Sequence, residues 1–191
     1  MDTICFIANP RGSPEARMFG RALAASPLLN GFRLITPCAG TVDVAVFHKW
    51  IETGRQVDLV LPPGWDGVPD PKQEAIIRKV KSSGGILIPA EPVEDDVDPR
   101  LSYLFDHAAR IIIVEISADH PVMDRHRFPL PVSRMAALQW AIREPGNTGC
   151  RILYESGRAA PLYPVAIDRW LGYFLDDDGT PGNHRQLSLG L

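Results

Sequence analysis

The chain has no excess of basic residues. Its 20 lysines and arginines face 23 aspartates and glutamates, for a formal net charge of -3. That excludes a generally basic, histone-like surface and leaves any nucleic acid to be met by a local patch. Cysteine is scarce: Cys5, Cys38 and Cys150 stand far apart without a C-x-x-C pair, which predicts reduced thiols of a cytoplasmic protein. No apolar run approaches the roughly 18 residues of a membrane span. No basic-then-apolar leader follows Asp2, so a soluble, cytoplasmic protein without a membrane partner is expected. Two nucleotide fingerprints are missing as well. Neither G-x-G-x-x-G nor G-x-x-x-x-G-K-[ST] follows the first apolar run, which argues against an ordinary NAD enzyme or a P-loop nucleotidase.

What is present is a repeated joint. Three apolar runs end in turns rich in Gly, Pro or small polar residues, and each turn opens an amphipathic stretch. The joints are Ile4-Cys5-Phe6-Ile7-Ala8 into Asn9-Pro10-Arg11-Gly12-Ser13-Pro14, Leu34-Ile35-Thr36 into Pro37-Cys38-Ala39-Gly40-Thr41, and Leu59-Val60-Leu61 into Pro62-Pro63-Gly64-Trp65-Asp66-Gly67. Strand-turn-helix units with short turns build a parallel sheet whose turns gather along its carboxyl edge. Helix starts at that edge present N–H groups suited to anions.

Strands are predicted over residues 3–8, 32–36, 56–61, 86–88, 110–116 and 150–154. Helices are predicted over 14–26, 42–53, 71–83, 99–108, 131–143 and 165–174. In the first helix Met18, Phe19, Ala22 and Leu23 form the expected apolar stripe. In the third, Asp70 is the expected cap, with Ala75, Ile76, Ile77 and Val80 turned inward. Residues 117–130, holding Asp119, His120, Asp124, Arg125, His126 and Arg127, read as a long polar loop. Six strands alternating with helices predict a three-layer α/β/α, Rossmann-like fold with a mostly parallel sheet. With 45% of 191 residues hydrophobic, one domain over residues 1–175 is expected, followed by a loose tail at 176–191.

Several segments together resemble the Rossmann-like core of the DNA-processing protein family (DprA, also called Smf), within the wider SLOG superfamily that includes the lonely-guy phosphoribohydrolases. The resemblance runs over about residues 3–157. Asn9-Pro10-Arg11-Gly12-Ser13 is similar to the family's Gly-Ser-Arg type turn. Pro37 to His48 resembles its G-x-A-x-G-I-D-x-x-A-H segment, although Asp43 lies three residues after Gly40 instead of two, and His48 five after Asp43 instead of four. Gly85-Ile86-Leu87-Ile88-Pro89-Ala90-Glu91-Pro92 is similar to G-x-L-[LI]-S-E-x-P, and Ile111-Ile112-Ile113-Val114-Glu115 to V-V-V-E-A. Of the family's R-N-R segment only Arg100 is matched, and the lonely-guy signature P-G-G-x-G-T-x-x-E is absent. The resemblance implies a binder of single-stranded DNA, with DNA processing or recombination as its setting and a homodimer as its form.

The residues at the turns carry the functional expectations. Arg11 beside the amides of Gly12 and Ser13 either holds a phosphate or is a solvated turn residue. Asn9 belongs to the same turn. Gly40 and Thr41 let a second stretch of backbone approach the ligand, while Asp43 either bonds a ribose hydroxyl or caps its helix. Trp65, next to Gly64, either stacks on a base or folds as a lid onto the third helix. Glu91 and Glu115 stand at strand ends. Two functions follow. One is a non-catalytic binding protein for single-stranded DNA or a nucleotide-type small molecule at the carboxyl edge, using Asn9, Arg11, Gly12, Ser13, Gly40, Thr41, Asp43, Gly64, Trp65 and Glu91. The other is a hydrolase or transferase acting on a nucleotide N-glycosidic bond, with Glu91 or Glu115 as its carboxylate. No cofactor and no metal are expected, because His120 and His126 lack ligand spacing on a rigid element.

Overall fold

The computed structural model describes residues 1–12, 14–65, 67–94 and 97–114, together with 135–137, 139–140, 152–153, 159–160, 168, 171 and 175. The first strand, β1 (Asp2–Ile7), shows why its apolar residues run on without alternation. Ile4 and Phe6 join one buried cluster and Cys5 and Ile7 a second, so the strand is covered on both faces. Three strand-helix units follow: α1 (Pro14–Ala25), β2 (Phe32–Thr36), α2 (Thr41–Glu52), β3 (Val57–Leu61), α3 (Pro71–Ser82) and β4 (Leu87–Pro89). Then come α4 (Pro99–His107) and β5 (Arg110–Ile113). A short sixth strand, β6 (Met135–Ala137), extends the parallel sheet beyond β5.

The strand order is β4-β3-β2-β1-β5-β6, and every neighbouring pair is parallel. From β1 the chain moves outward through β2, β3 and β4, then crosses back to place β5 on the other side of β1. Right-handed crossovers therefore put α1 to α3 on one face and α4 on the other. The two clusters agree. Ala16, Phe19, Leu23, Val42, Val46, Phe47, Trp50, Ile77 and Val80 belong to one, and Leu104, Phe105 and Ala108 of α4 to the other. The reversal of direction between β1 and β5 opens the crevice where open α/β sheets take their ligands.

Local signals place the helix ends. Asp70 accepts hydrogen bonds from the Lys72 and Gln73 amides at 2.8 Å, and the Gln73 side chain returns to the Asp70 N–H at 3.1 Å. Asp98 caps α4 through the Arg100 amide at 2.9 Å, ahead of Pro99. Gly54, at φ 75°, closes α2 with its N–H on the Ile51 carbonyl at 2.9 Å, the left-handed position that favours glycine.

Some expectations are corrected. The buried stripe of α1 is Ala16, Phe19, Leu23 and Ala24, while Met18 is 61% exposed and Ala22 is also exposed. Ala75 is exposed on α3. In place of a helix over 131–143 the chain forms β6 and β7 (Gln139–Trp140). Met135 to Leu138 is a short unbroken apolar run, which periodicity alone cannot divide between helix and strand. The expected sixth parallel strand at 150–154 is β8 (Ile152–Leu153). It pairs antiparallel with β7 and with β9 (Ala159–Ala160) in a separate three-stranded sheet. Residues 117–130 and 176–191 lie outside the described residues.

Candidate functional site

The turns after β1 and β2 leave adjacent strands and are fastened to each other. The Thr41 N–H donates to the Pro10 carbonyl at 3.0 Å, and the Thr41 hydroxyl donates to the Gly12 carbonyl at 3.2 Å. The two glycines mark where the backbones close up. A methyl group placed on Gly12 would stand 2.5 Å from Cγ2 of Val42, and one on Gly40 would stand 3.2 Å from Cα and 3.3 Å from the carbonyl oxygen of Pro10. Neither turn has its shape independently of the other.

Asp43, in the first turn of α2, is 8% exposed and accepts the Gly40 N–H at 3.0 Å. It is a helix cap. Burial raises its carboxyl to about 6, against the opposing pull of the Gly40 and Ala39 amides and the positive charge of Arg100. Gly40 and Thr41 thus spend their N–H groups inside the protein. Cys38, just before them, has φ 48°, a left-handed conformation that costs a non-glycine residue roughly 1–2 kcal/mol. Its N–H is held by the Thr36 hydroxyl at 3.0 Å. Burial, and secondarily the Asp43 carboxylate, push its thiol up to about 12, so it is an unreactive thiol.

Arg11 is exposed in the first turn, with no ion-pair partner among the described residues. Asn9 is half-buried beside it, and Ser13 lies outside the described residues. Gly64, at φ 67°, is exposed. Trp65 is half-buried and packs against the cluster beneath α1 to α3. Glu91 is exposed after β4. Strands about 4.8 Å apart put the end of β4 roughly 14 Å from that of β1. The structure therefore brings together Asn9, Arg11, Gly12, Gly40, Thr41 and Asp43, sets Gly64 and Trp65 further along the edge, and leaves Glu91 at its far end. Glu115 lies outside the described residues.

His48 does not reach this edge. Two turns down α2, its Nδ1 lies 3.1 Å from Nζ of Lys79 on α3. Burial, then the Lys79 ammonium, holds it below the usual histidine range. Two features escaped sequence reasoning. One is the double bond from Thr41, because nothing local says which carbonyls it will meet. The other is the reach of Arg100, so far only the matched residue of an R-N-R segment: half-buried at the start of α4, it has Nη2 2.7 Å from Asp98 and its charge reaches Asp43. The run Asp98-Pro99-Arg100 announces the cap and not this reach across the edge. Among the described residues no cluster of three or more His, Cys, Asp or Glu side chains could hold a metal ion, and no helix is long and apolar enough to cross a membrane.

No family model matches the chain, and no curated protein does. Solved structures do. DNA processing protein A from Helicobacter pylori, described for its mode of binding single-stranded DNA, superposes with a TM-score of 0.62 at 17% identity, covering 92% of this chain and 81% of that one. DNA processing protein A from Streptococcus pneumoniae gives a TM-score of 0.47 at 16% identity, over 62% of this chain. The match spans only 43% of the Streptococcus pneumoniae protein. The Moco carrier protein of Chlamydomonas reinhardtii gives 0.43 at 15% identity, over 68% of this chain and 72% of that one. The superposition on the Helicobacter pylori protein spans nearly the whole chain, and the chain has the Rossmann-like fold of DNA processing protein A.

Proposed function

We propose that the protein binds single-stranded DNA along the carboxyl edge of its parallel sheet and performs no chemistry on it. The observation that carries this reading is the pair of interlocked turns beside the β1/β5 crevice, with the exposed Arg11 at their crest. A guanidinium fork complements phosphate oxygens, and a turn already fixed in shape loses little freedom on binding. The spread of candidate residues supports an extended ligand over a mononucleotide. From Arg11 past Trp65 to Glu91 the edge runs roughly 14 Å, and Trp65, half-buried partway along it, is of the residue type on which bases stack. The fold shared with a protein that binds single strands supports the same reading. Its implied setting is DNA processing or recombination in the cytoplasm, by a homodimer. Glycosidic hydrolysis has less behind it, since the one described candidate carboxylate, Glu91, is exposed and stands three strands from Arg11.

The test is fluorescence anisotropy of a labelled single-stranded oligonucleotide at two salt concentrations, with a duplex of the same sequence as control. Salt-sensitive binding that prefers the single strand is expected. Arg11→Ala is expected to weaken it about tenfold and to lower the salt slope by about one phosphate contact. Absence of binding at tens of micromolar refutes the reading.

A further inference from the structure

We infer that Thr41 is a positioning residue: it clasps the Arg11 turn to the start of α2 and sets the shape in which that turn meets a ligand. The inference rests on the single-strand reading of this edge and assigns a division of labour within it. The first turn touches the ligand, and the second holds the first.

A helix start offers its first N–H groups to an anion, but here that of Gly40 goes to the Asp43 carboxylate and that of Thr41 goes to Pro10. Two of the donors at the start of α2 are therefore taken by the protein's own groups. What the second turn delivers is its grip on the first. Thr41 uses both its N–H, at 3.0 Å to Pro10, and its hydroxyl, at 3.2 Å to Gly12, and so holds the carbonyls on either side of Arg11. The interlock is reciprocal: Gly12 closes on Val42, and Gly40 closes on Pro10. Thr41 is nevertheless exposed, so the core does not depend on its side chain. Fixing the residues on both sides of Arg11 in advance removes ordering that the ligand would otherwise have to impose.

Thr41→Val keeps the shape and the N–H but removes the hydroxyl, while Thr41→Ser keeps both polar groups. Two readouts are needed. Amide exchange at Asn9, Arg11 and Gly12, measured by NMR on the ligand-free protein, reports the turn itself. Anisotropy with the labelled single strand reports affinity. Thr41→Val is expected to speed exchange in the turn about tenfold and to weaken binding about tenfold at unchanged salt slope, with Thr41→Ser within about twofold of wild type on both. Weaker binding with unchanged exchange would make Thr41 a ligand contact and overturn the inference. Faster exchange with unchanged affinity would overturn it too, since the clasp would then position nothing. If the wild-type protein binds no strand, the DNA reading fails and the exchange readout alone decides the clasp: faster exchange in Thr41→Val upholds it, and unchanged exchange removes it.

Discussion

Gly12 and Gly64 are both turn glycines, yet they are required for different reasons. At Gly12 the constraint is space. An added methyl meets Cγ2 of Val42 at 2.5 Å, and Val42 is fully buried and stiff at χ1, so Gly12→Ala is expected to destabilise by about 1–3 kcal/mol. At Gly64 the surroundings are open and only φ 67° resists a side chain, so Gly64→Ala is expected to cost about 1 kcal/mol. Urea denaturation separates the two through the pair Gly12→Ala and Val42→Ala. Coupling of at least about 0.5 kcal/mol between them supports the clash, whereas strict additivity overturns it. Asp43 makes a residue-scale prediction of another kind. Its carboxyl rises from 3.8 to about 6 on folding, so the native state holds the proton more tightly than the unfolded chain. Its contribution is present in full below about pH 4 and is lost as the pH climbs through about 6, by about 3 kcal/mol in all. Asp43→Asn keeps an acceptor for the Gly40 N–H without the charge. The stability of wild type relative to this variant is expected to fall between pH 4 and pH 7, and parallel stability curves would show that burial does not perturb Asp43.

At the scale of elements, what was legible in the sequence is what local chemistry decides. The Asp70 cap and the helix starts at Pro14 and Pro99 were each readable from a few residues, and each has the place expected of it. Asp70→Ala is expected to lower stability by about 1 kcal/mol and to increase exchange of the Lys72 and Gln73 amides; unchanged exchange there would show that the cap is not what holds the start of α3. What was not legible depends on partners far along the chain. The stripe of α1 was misjudged because Met18 and Ala16 are equally apolar, and only the helix packed against α1 decides which is covered. Strand β6 was missed because a short apolar run becomes a strand when β5 offers it a free edge, and that edge is a property of the sheet. The candidate site divides in the same way. Arg11, Gly12 and Gly40 were readable as turn residues, but the bonds from Thr41 to Pro10 and Gly12 span about thirty residues, and no spacing rule announces them.

The whole molecule raises the question of where the cooperative unit ends. The face of the sheet that carries Ile112 and Val114 is not roofed by α1 to α3 alone, since Leu171, some sixty residues later, is 0% exposed and belongs to the same cluster. Leu175 packs against that cluster from outside. Asp168 accepts a hydrogen bond from the Ser26 hydroxyl at 2.5 Å, a second tie from this part of the chain, here to the end of α1. A residue so placed should be felt throughout the core and not only at the carboxyl end of the chain. Leu171→Ala is expected to lower global stability by about 2–5 kcal/mol. Because Trp50 is buried in the same cluster, tryptophan fluorescence and far-ultraviolet circular dichroism are expected to report one coincident transition in urea, shifted to lower concentration with little change in slope. If the variant instead unfolds in two steps, with the main transition unmoved, the strand-helix units through β5 form a domain complete in itself and Leu171 belongs to an addition to it.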